Sequence, residues 1–278
     1  MPSAFPLVSV VIASRNRNAL LQRAIASINS QSYDDIEIIV IDNCSDQPIT
    51  NEDLPQGRPI TIKRNTEPKG LYVNRNLGSE RATGDIVCYL DDDDTYFPHK
   101  VQECVEAFDA DRSLDFVWAN TEQVGPNGQT ICLSRGPIEL TQFLRYRYVH
   151  LNTLAIRRNV LTTLRFNDDM TKFGDIQFVG QLIKDYRGKH IDSTHAYWYR
   201  DDRNDQITRR DWRGTFENWR KLCDVFEDEI DASALTRRFY HRKMLLLALM
   251  YGDARQAIKS ASRFFSPLPS QSLPPYEA

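Results

Sequence analysis

The sequence predicts an α/β fold, a mostly parallel central sheet flanked by helices, with a helical C-terminal extension. Three observations lead there. Short β-branched runs alternate with segments of helical period as far as position 120. Most of the runs are apolar nearly throughout, with single interruptions such as Ser9 and Glu37, as strands covered on both faces are. From position 212 to about 265 only helical spacing remains, with one break at Gly252-Asp253.

Leu7 to Ala13 reads as the first strand, and Leu20, Leu21, Ala24, Ile25 and Ile28 fall on one face of the helix after it. Ile36 to Ile41 repeats the buried-strand pattern and Ile60 to Lys63 is a shorter copy. Leu71 to Ala82 reads as a helix ending before Gly84, and Asp85 to Leu90 as the next strand. Phe97 to Phe108 reads as a helix, with Pro98 tolerated in its first turn, before a strand at Leu114 to Ala119. Gly125-Pro126-Asn127-Gly128 is a turn joining two short strands. Ile176, Val179, Leu182, Ile183 and Tyr186 have helical spacing after Asp175, and Ala196 to Arg200 returns to strand. The Pro- and Ser-rich tail, 266–278, is expected to be disordered.

A chain of 278 residues that is 41% hydrophobic can bury a substantial core. Its 35 basic and 38 acidic residues produce no basic field, which argues against a nucleic-acid partner. Five cysteines without a Cys-x-x-Cys pair fit free thiols in a reducing, cytoplasmic setting better than a disulfide frame or a zinc site. Phe5 to Ala13 lacks a preceding basic stretch and is followed by Arg15 and Arg17, so it is expected to be a strand of the mature chain and not a signal peptide. The longest apolar run, Met244 to Tyr251, is far short of the roughly 20 residues of a membrane span. Beside it stand Arg237-Arg238 and His241-Arg242-Lys243. That pattern fits either a helix packed on the main domain with a wet basic face or a peripheral contact with the inner face of a membrane.

Ligands of parallel α/β sheets gather at the carboxyl ends of the strands. Here those ends are polar: Ser14-Arg15-Asn16-Arg17, Asp42-Asn43-Cys44-Ser45 and Asp91-Asp92-Asp93-Asp94. Four adjacent aspartates repel one another, yet a strand and a helix hold this run at a sheet edge, where a cation must compensate. Carboxylates without His or Cys select a hard ion, Mg2+ or Mn2+, which bridges to substrate phosphates.

Taken together, Val8-Ser9-Val10-Val11-Ile12 before Arg15-Asn16-Arg17, Ile41-Asp42-Asn43-Cys44-Ser45, Gly70 to Gly84, and Tyr89-Leu90 before the aspartates resemble a family 2 glycosyltransferase over the first half of the chain. The resemblance implies a GT-A fold, an inverting reaction, a nucleoside-diphosphate sugar donor and a saccharide or lipid-linked saccharide acceptor. It implies a catalytic domain over 1–208, its donor half 1–120 and acceptor half 121–208, then a helical region over 209–265. Asp42 resembles the aspartate that hydrogen-bonds the base, with Ala13, Ser14 and Arg15 lining the same pocket. A turn cap is the other reading of Asp42. Arg75 and Asn76 resemble the Ala-Arg-Asn segment. Asp91-x-Asp93 resembles the Asp-x-Asp motif, with Asp93 the principal metal ligand, Asp91 a second, and Asp91 or Asp92 nearer the ribose.

Downstream, Phe166-Asn167-Asp168-Asp169 and Phe173-Gly174-Asp175-Ile176 resemble the segment that carries the general base at a helix start. Asp175 is that base by position, although Gly-Asp replaces the usual Glu-Asp; Asp168 and Asp169 are the alternatives, and an N-cap is the structural reading. Arg15 stands where the family often has an aromatic residue, and Asn43-Cys44 replaces Asp-Gly. A late Tyr-Arg is followed by Asp201-Asp202 where a metal-reaching histidine is common. Tyr197, Trp198 and Tyr199 are read as a sugar-stacking wall or as alternating strand residues, and His150 and Asn152 as acceptor contacts, with a structural loop histidine the other reading of His150. A sugar-phosphate nucleotidyltransferase would need a glycine-rich loop after the first strand, absent from Ala13 to Arg17. A silent carbohydrate- or nucleotide-binding module of the same fold is the rival from another class.

Overall fold

The computed structural model describes residues 6–133, 136–146, 149–200 and 212–266. It divides into two compact units, Met1–Ile207 and Thr208–Ala278.

The first unit is built on a nine-stranded sheet. Its strands are β1 (Val8–Ser14), β2 (Ile36–Asp42), β3 (Ile60–Arg64), β4 (Ile86–Tyr89), β5 (Thr95–Tyr96), β6 (Phe116–Val124), β7 (Thr130–Leu133), β8 (Ala155–Arg157) and β9 (Gly188–Tyr199). Their order is β3-β2-β1-β4-β8-β6-β9-β5, with β7 paired to β6. β1 to β4, β6 and β9 run one way; β5, β7 and β8 run the other. Helices α1 (Asn18–Asn29), α2 (Leu71–Ser79), α3 (Lys100–Ala110), α4 (Leu140–Tyr146) and α5 (Gly174–Asp185) belong to this unit.

The predicted face of α1 is the buried one: Leu21, Ala24, Ile25 and Ile28 are inaccessible. They pack with Val8, Val10, Ile12, Ile38 and Val40 of the first two strands. Each buried Leu, Ile or Val of this layer contributes about 1.5–3 kcal/mol, so the layer fixes the register that brings Ser14 opposite Asp42. The predicted turn at Gly125 to Gly128 closes the β6–β7 hairpin, with Gly128 at φ 75°.

Several boundaries differ from expectation. α2 ends at Ser79, before Ala82, and α3 starts at Lys100, because the Phe97 N–H donates to His195 O on β9 at 3.0 Å and holds Phe97 outside the helix. β9 begins at Gly188, well before Ala196, since its polar first half pairs with β6 across a bulge near Ala119 and Asn120. The short strands β5 and β8 and the helix α4 are new. β8 has three residues, too few to show a period, and is set by its antiparallel pairing with β4 and β6.

The second unit is helical as expected: α6 (Trp212–Val225), α7 (Glu227–Ala232), α8 (Ala234–Tyr251) and α9 (Ala254–Phe265). Gly252, at φ 82°, ends α8 at the predicted break, and Asp253 caps α9 by accepting from the Gln256 N–H. No described helix is long and apolar enough to cross a membrane. Residues 267–278 lie outside the described residues.

Candidate active site

The three polar strand ends share one edge of the sheet. Asn16 and Cys44, just past β1 and β2, and Phe173, just before α5, are the described non-glycine residues with positive φ, at 56°, 57° and 62°. Such backbone is uncommon outside glycine and clusters at functional turns.

The aspartate run alternates between inside and outside. Asp92 and Asp94 point inward, with 6% of the Asp92 side chain exposed and Asp94 at 1%. The Asp91 and Asp93 side chains keep 33% and 19%. Asp92 accepts from Ser14 Oγ at 2.7 Å and Arg17 Nη1 at 3.0 Å. Asp94 accepts from Asn152 Nδ2 at 2.5 Å and the Tyr199 N–H at 2.9 Å. Burial pushes Asp92 up to about 6. Burial, followed by Asp91 and Asp93, pushes Asp94 well above the usual carboxylate range.

Asp91 is different. Burial works against its ionisation, but Arg75, with His150 and Arg17 behind it, outweighs burial and holds the carboxyl low. Arg75 Nη2 donates to Asp91 Oδ1 at 2.5 Å from the buried face of α2. Two guanidiniums, Arg75 and Arg17, therefore provide part of the positive charge that the acidic run requires.

Asp91 and Asp93 are hard oxygen donors with partly open side chains, the chemistry a magnesium or manganese ion selects. Among the described residues no group of three His, Cys, Asp or Glu stands assembled as a metal cage. An ion held there would complete its shell with phosphate and water, as magnesium commonly does.

Asp42 is fully buried. Its carboxylate accepts from the Ser45 N–H at 2.9 Å, the Ile49 N–H at 3.3 Å and Arg64 Nη1 at 2.6 Å. Burial opposes its charge, yet the hydrogen bonds from Ser45, Ile49 and Arg64 prevail and hold it below the usual carboxylate range. It shapes the turn after β2 in the manner of a cap. Ser14 is buried, Ala13 half-buried, and Arg15 exposed at the same rim. Asn43 ties the next loop by accepting from the Lys69 N–H at 2.7 Å.

Asp175 lies in the first turn of α5, as its sequence context predicts. It lines one cavity together with Arg75, Asp91, His150 and Trp198. Asp168 and Asp169 are exposed and absent from that lining. Asp168 instead accepts from Asn76 Nδ2 at 2.7 Å, and Asn76 also receives the Phe166 N–H at 3.0 Å, so Asn76 anchors the loop before α5.

Of the aromatic trio, Trp198 alone faces this cavity; Tyr197 stacks on Phe97 at 4.2 Å and Tyr199 lies under Arg23 at 4.1 Å. The trio is thus alternating strand residues with one member at the site. His150 sits 5.2 Å from the Trp198 ring, and its buried Nδ1 has no hydrogen-bond partner among the described residues. Asn152, expected at the acceptor, is inaccessible and binds the Asp91 N–H and the Asp94 carboxylate, so it holds the aspartate turn. Asp201 and Asp202 lie outside the described residues.

Sequence reasoning missed Tyr72, whose hydroxyl receives the Gly174 N–H at 2.9 Å. A Cβ on Gly174 would stand 2.5 Å from the Tyr72 ring, so glycine is required for this approach. The one signal was the i,i+3 spacing of Tyr72 and Arg75 on α2.

Residues 9–162 match the family model described as Glycosyl transferase family 2. Similar proteins include the GalNAc(5)-diNAcBac-PP-undecaprenol beta-1,3-glucosyltransferase of Campylobacter jejuni, 38% identical over 32% of this chain and 30% of that one. Another is the putative teichuronic acid biosynthesis glycosyltransferase TuaG of Bacillus subtilis, 32% identical over 44% and 50%. The chain spans half or less of these two, and 38% of an uncharacterized glycosyltransferase of Haemophilus influenzae. Among solved structures, S. aureus TarS 1-349 superposes with a TM-score of 0.67 at 15% identity, over 95% of this chain and 81% of that one. This likeness shows the GT-A type of fold.

Proposed function

The chain belongs to glycosyl transferase family 2, and from that premise we propose that it transfers a sugar, with inversion, from a nucleoside-diphosphate donor to a hydroxyl of a saccharide or lipid-linked saccharide acceptor. The observation that supports this is the shared cavity: Arg75 and Asp91 from the donor half meet Asp175 from the acceptor half on one wall-to-wall surface. The relatives' names, teichuronic acid biosynthesis and undecaprenol-linked glucosyl transfer, favour polysaccharide or glycoconjugate synthesis as the setting.

Asp175 takes the proton from the acceptor hydroxyl as that oxygen attacks the anomeric carbon opposite the leaving nucleoside diphosphate. Its place in the first turn of α5, on the wall of the cavity that Arg75 and Asp91 also line, gives it a fixed direction for that role. Asp91 and Asp93 would hold a divalent ion, which would supply positive charge against the departing diphosphate. Arg75 keeps Asp91 ionised and aimed, while Asp92 and Ser14 fix the turn near the ribose. Ala13, Arg15 and the loop shaped by Asp42 line the nucleoside end, with the Arg15 side chain open to a ligand.

The test combines nucleotide binding and transfer. Nucleoside diphosphates are expected to raise the melting temperature with manganese present and much less in EDTA or in Asp93→Ala. Asp175→Asn is expected to bind them normally and to lower transfer by about 10²–10⁴-fold. Metal-independent binding together with unimpaired transfer by Asp175→Asn would sink the proposal.

A further inference from the structure

The second unit carries a surface unlike the rest of the chain. Among the described residues, every exposed large apolar side chain except Ile131 and Tyr146 belongs to it. Most lie on α8. Leu235, Phe239, Leu246 and Leu249 are 62%, 39%, 54% and 63% exposed, and Arg238 and Arg242 are exposed between them. At about 100° per residue these six positions fall within one arc of about 100° on the helix.

The charge on this surface has one sign. α8 contains no aspartate or glutamate, and of its cations Arg238 and Arg242 stand exposed within the stripe whereas Arg237 is buried. The unit's carboxylates sit elsewhere: Glu227 pairs with Lys259 and Arg263, and Asp231 with Arg263 and His241. Arg238 and Arg242 have no ion-pair partner among the described residues.

We infer that α8 lies flat on an anionic lipid surface, with its leucines and Phe239 among the acyl chains and Arg238 and Arg242 on lipid phosphates. Interleaved apolar and cationic side chains on one exposed helical stripe meet both layers of such an interface at once. Pairing of this face with a second copy would set Arg238 and Arg242 against the same residues with no carboxylate to receive them, a desolvation cost without compensation. The helix lies on the surface and does not span it: its 18 residues include four Arg or Lys.

The experiment uses the full chain without donor or acceptor, so its outcome is independent of transfer activity. Binding is measured by co-sedimentation with vesicles of phosphatidylcholine alone and of phosphatidylcholine mixed with phosphatidylglycerol. The chain is expected to bind the mixed vesicles and to be released by high salt. Arg238→Ala/Arg242→Ala should weaken that binding roughly 30-fold, and Leu246→Gln/Leu249→Gln should abolish it, both with unchanged melting temperature because the substituted side chains are exposed. Equal binding to both vesicle types would overturn the anionic requirement. No binding to either, or a concentration-dependent dimer that the Leu246→Gln/Leu249→Gln variant loses, would overturn the inference altogether.

Discussion

Tyr72 and Asp175, 103 positions apart, meet through a hydroxyl that donates to Asp175 Oδ1 at 3.4 Å and accepts the buried Gly174 N–H at 2.9 Å. Tyr72 thereby spans the donor helix and the helix that presents the proposed base. Burial, with Asp175 adding to it, pushes the phenol far above its usual value, so it stays a donor at every working pH. Tyr72→Phe should cost about 1–3 kcal/mol by leaving the Gly174 N–H without its acceptor. It should also lower the transfer rate more than donor affinity. Denaturant titration and a kcat-against-KM comparison check the two halves, and an unchanged rate would reduce Tyr72 to a packing role.

Asp42→Ala should be destabilising, by about 1–3 kcal/mol, because it leaves the N–H groups of Ser45 and Ile49 without their acceptor and removes the partner of Arg64. The folded-state carboxyl is held low, so its contribution is full above its unfolded value and fades as pH falls through the folded one. A melt at neutral pH decides: wild-type stability in the variant would return Asp42 to the ligand.

Arg75→Lys keeps the charge but loses the planar fork on Asp91 and the guanidinium's position 5.5 Å from the Phe166 ring centre. Donor and metal affinity should fall together by about tenfold or more, roughly 1.4 kcal/mol. Calorimetric titration of nucleoside diphosphate with and without manganese checks this, and metal affinity that stays put would uncouple Arg75 from Asp91.

His195 is inaccessible, with Nε2 2.9 Å from Glu103 and Nδ1 3.8 Å from the Cys104 sulfur. Burial depresses its pKa to about 4 despite Glu103. Burial also keeps Cys104 a thiol, pushed up to about 12, so the thiol donates to Nδ1 and Nε2–H donates to Glu103. A histidine depressed on folding contributes stability that is present above its unfolded value of 6.5 and is lost as pH falls from there towards 4. The loss should be about 3 kcal/mol. His195→Gln should flatten that slope in denaturation curves collected between pH 7 and 4; an equally steep slope in the variant would assign it to other groups.

The sheet edge and its polar exits were legible because they are local: an apolar run, then charges, repeated at β1, β2 and β4. Asp175 was legible for the same reason, as an acid opening a helical period. What escaped depends on distant pairing. Nothing near Asn152 in sequence signals that it clamps an aspartate turn 58 positions earlier, and nothing near Tyr72 announces Gly174. Asp42 shows the limit from the other side. Its place at a strand end is readable, but the three groups that close around it come from a loop and a neighbouring strand whose packing no spacing encodes.

The alternation of Asp91 and Asp93 outward with Asp92 and Asp94 inward makes the segment a ruler. Inserting or deleting one residue between Leu90 and Thr95 would break this order, turning towards the cavity carboxylates that Ser14, Arg17 and Asn152 now hold and drawing Asp91 away from Arg75. Descendants of this sequence can therefore vary the chemistry of the surrounding rim far more freely than they can change the length of this stretch by a single codon.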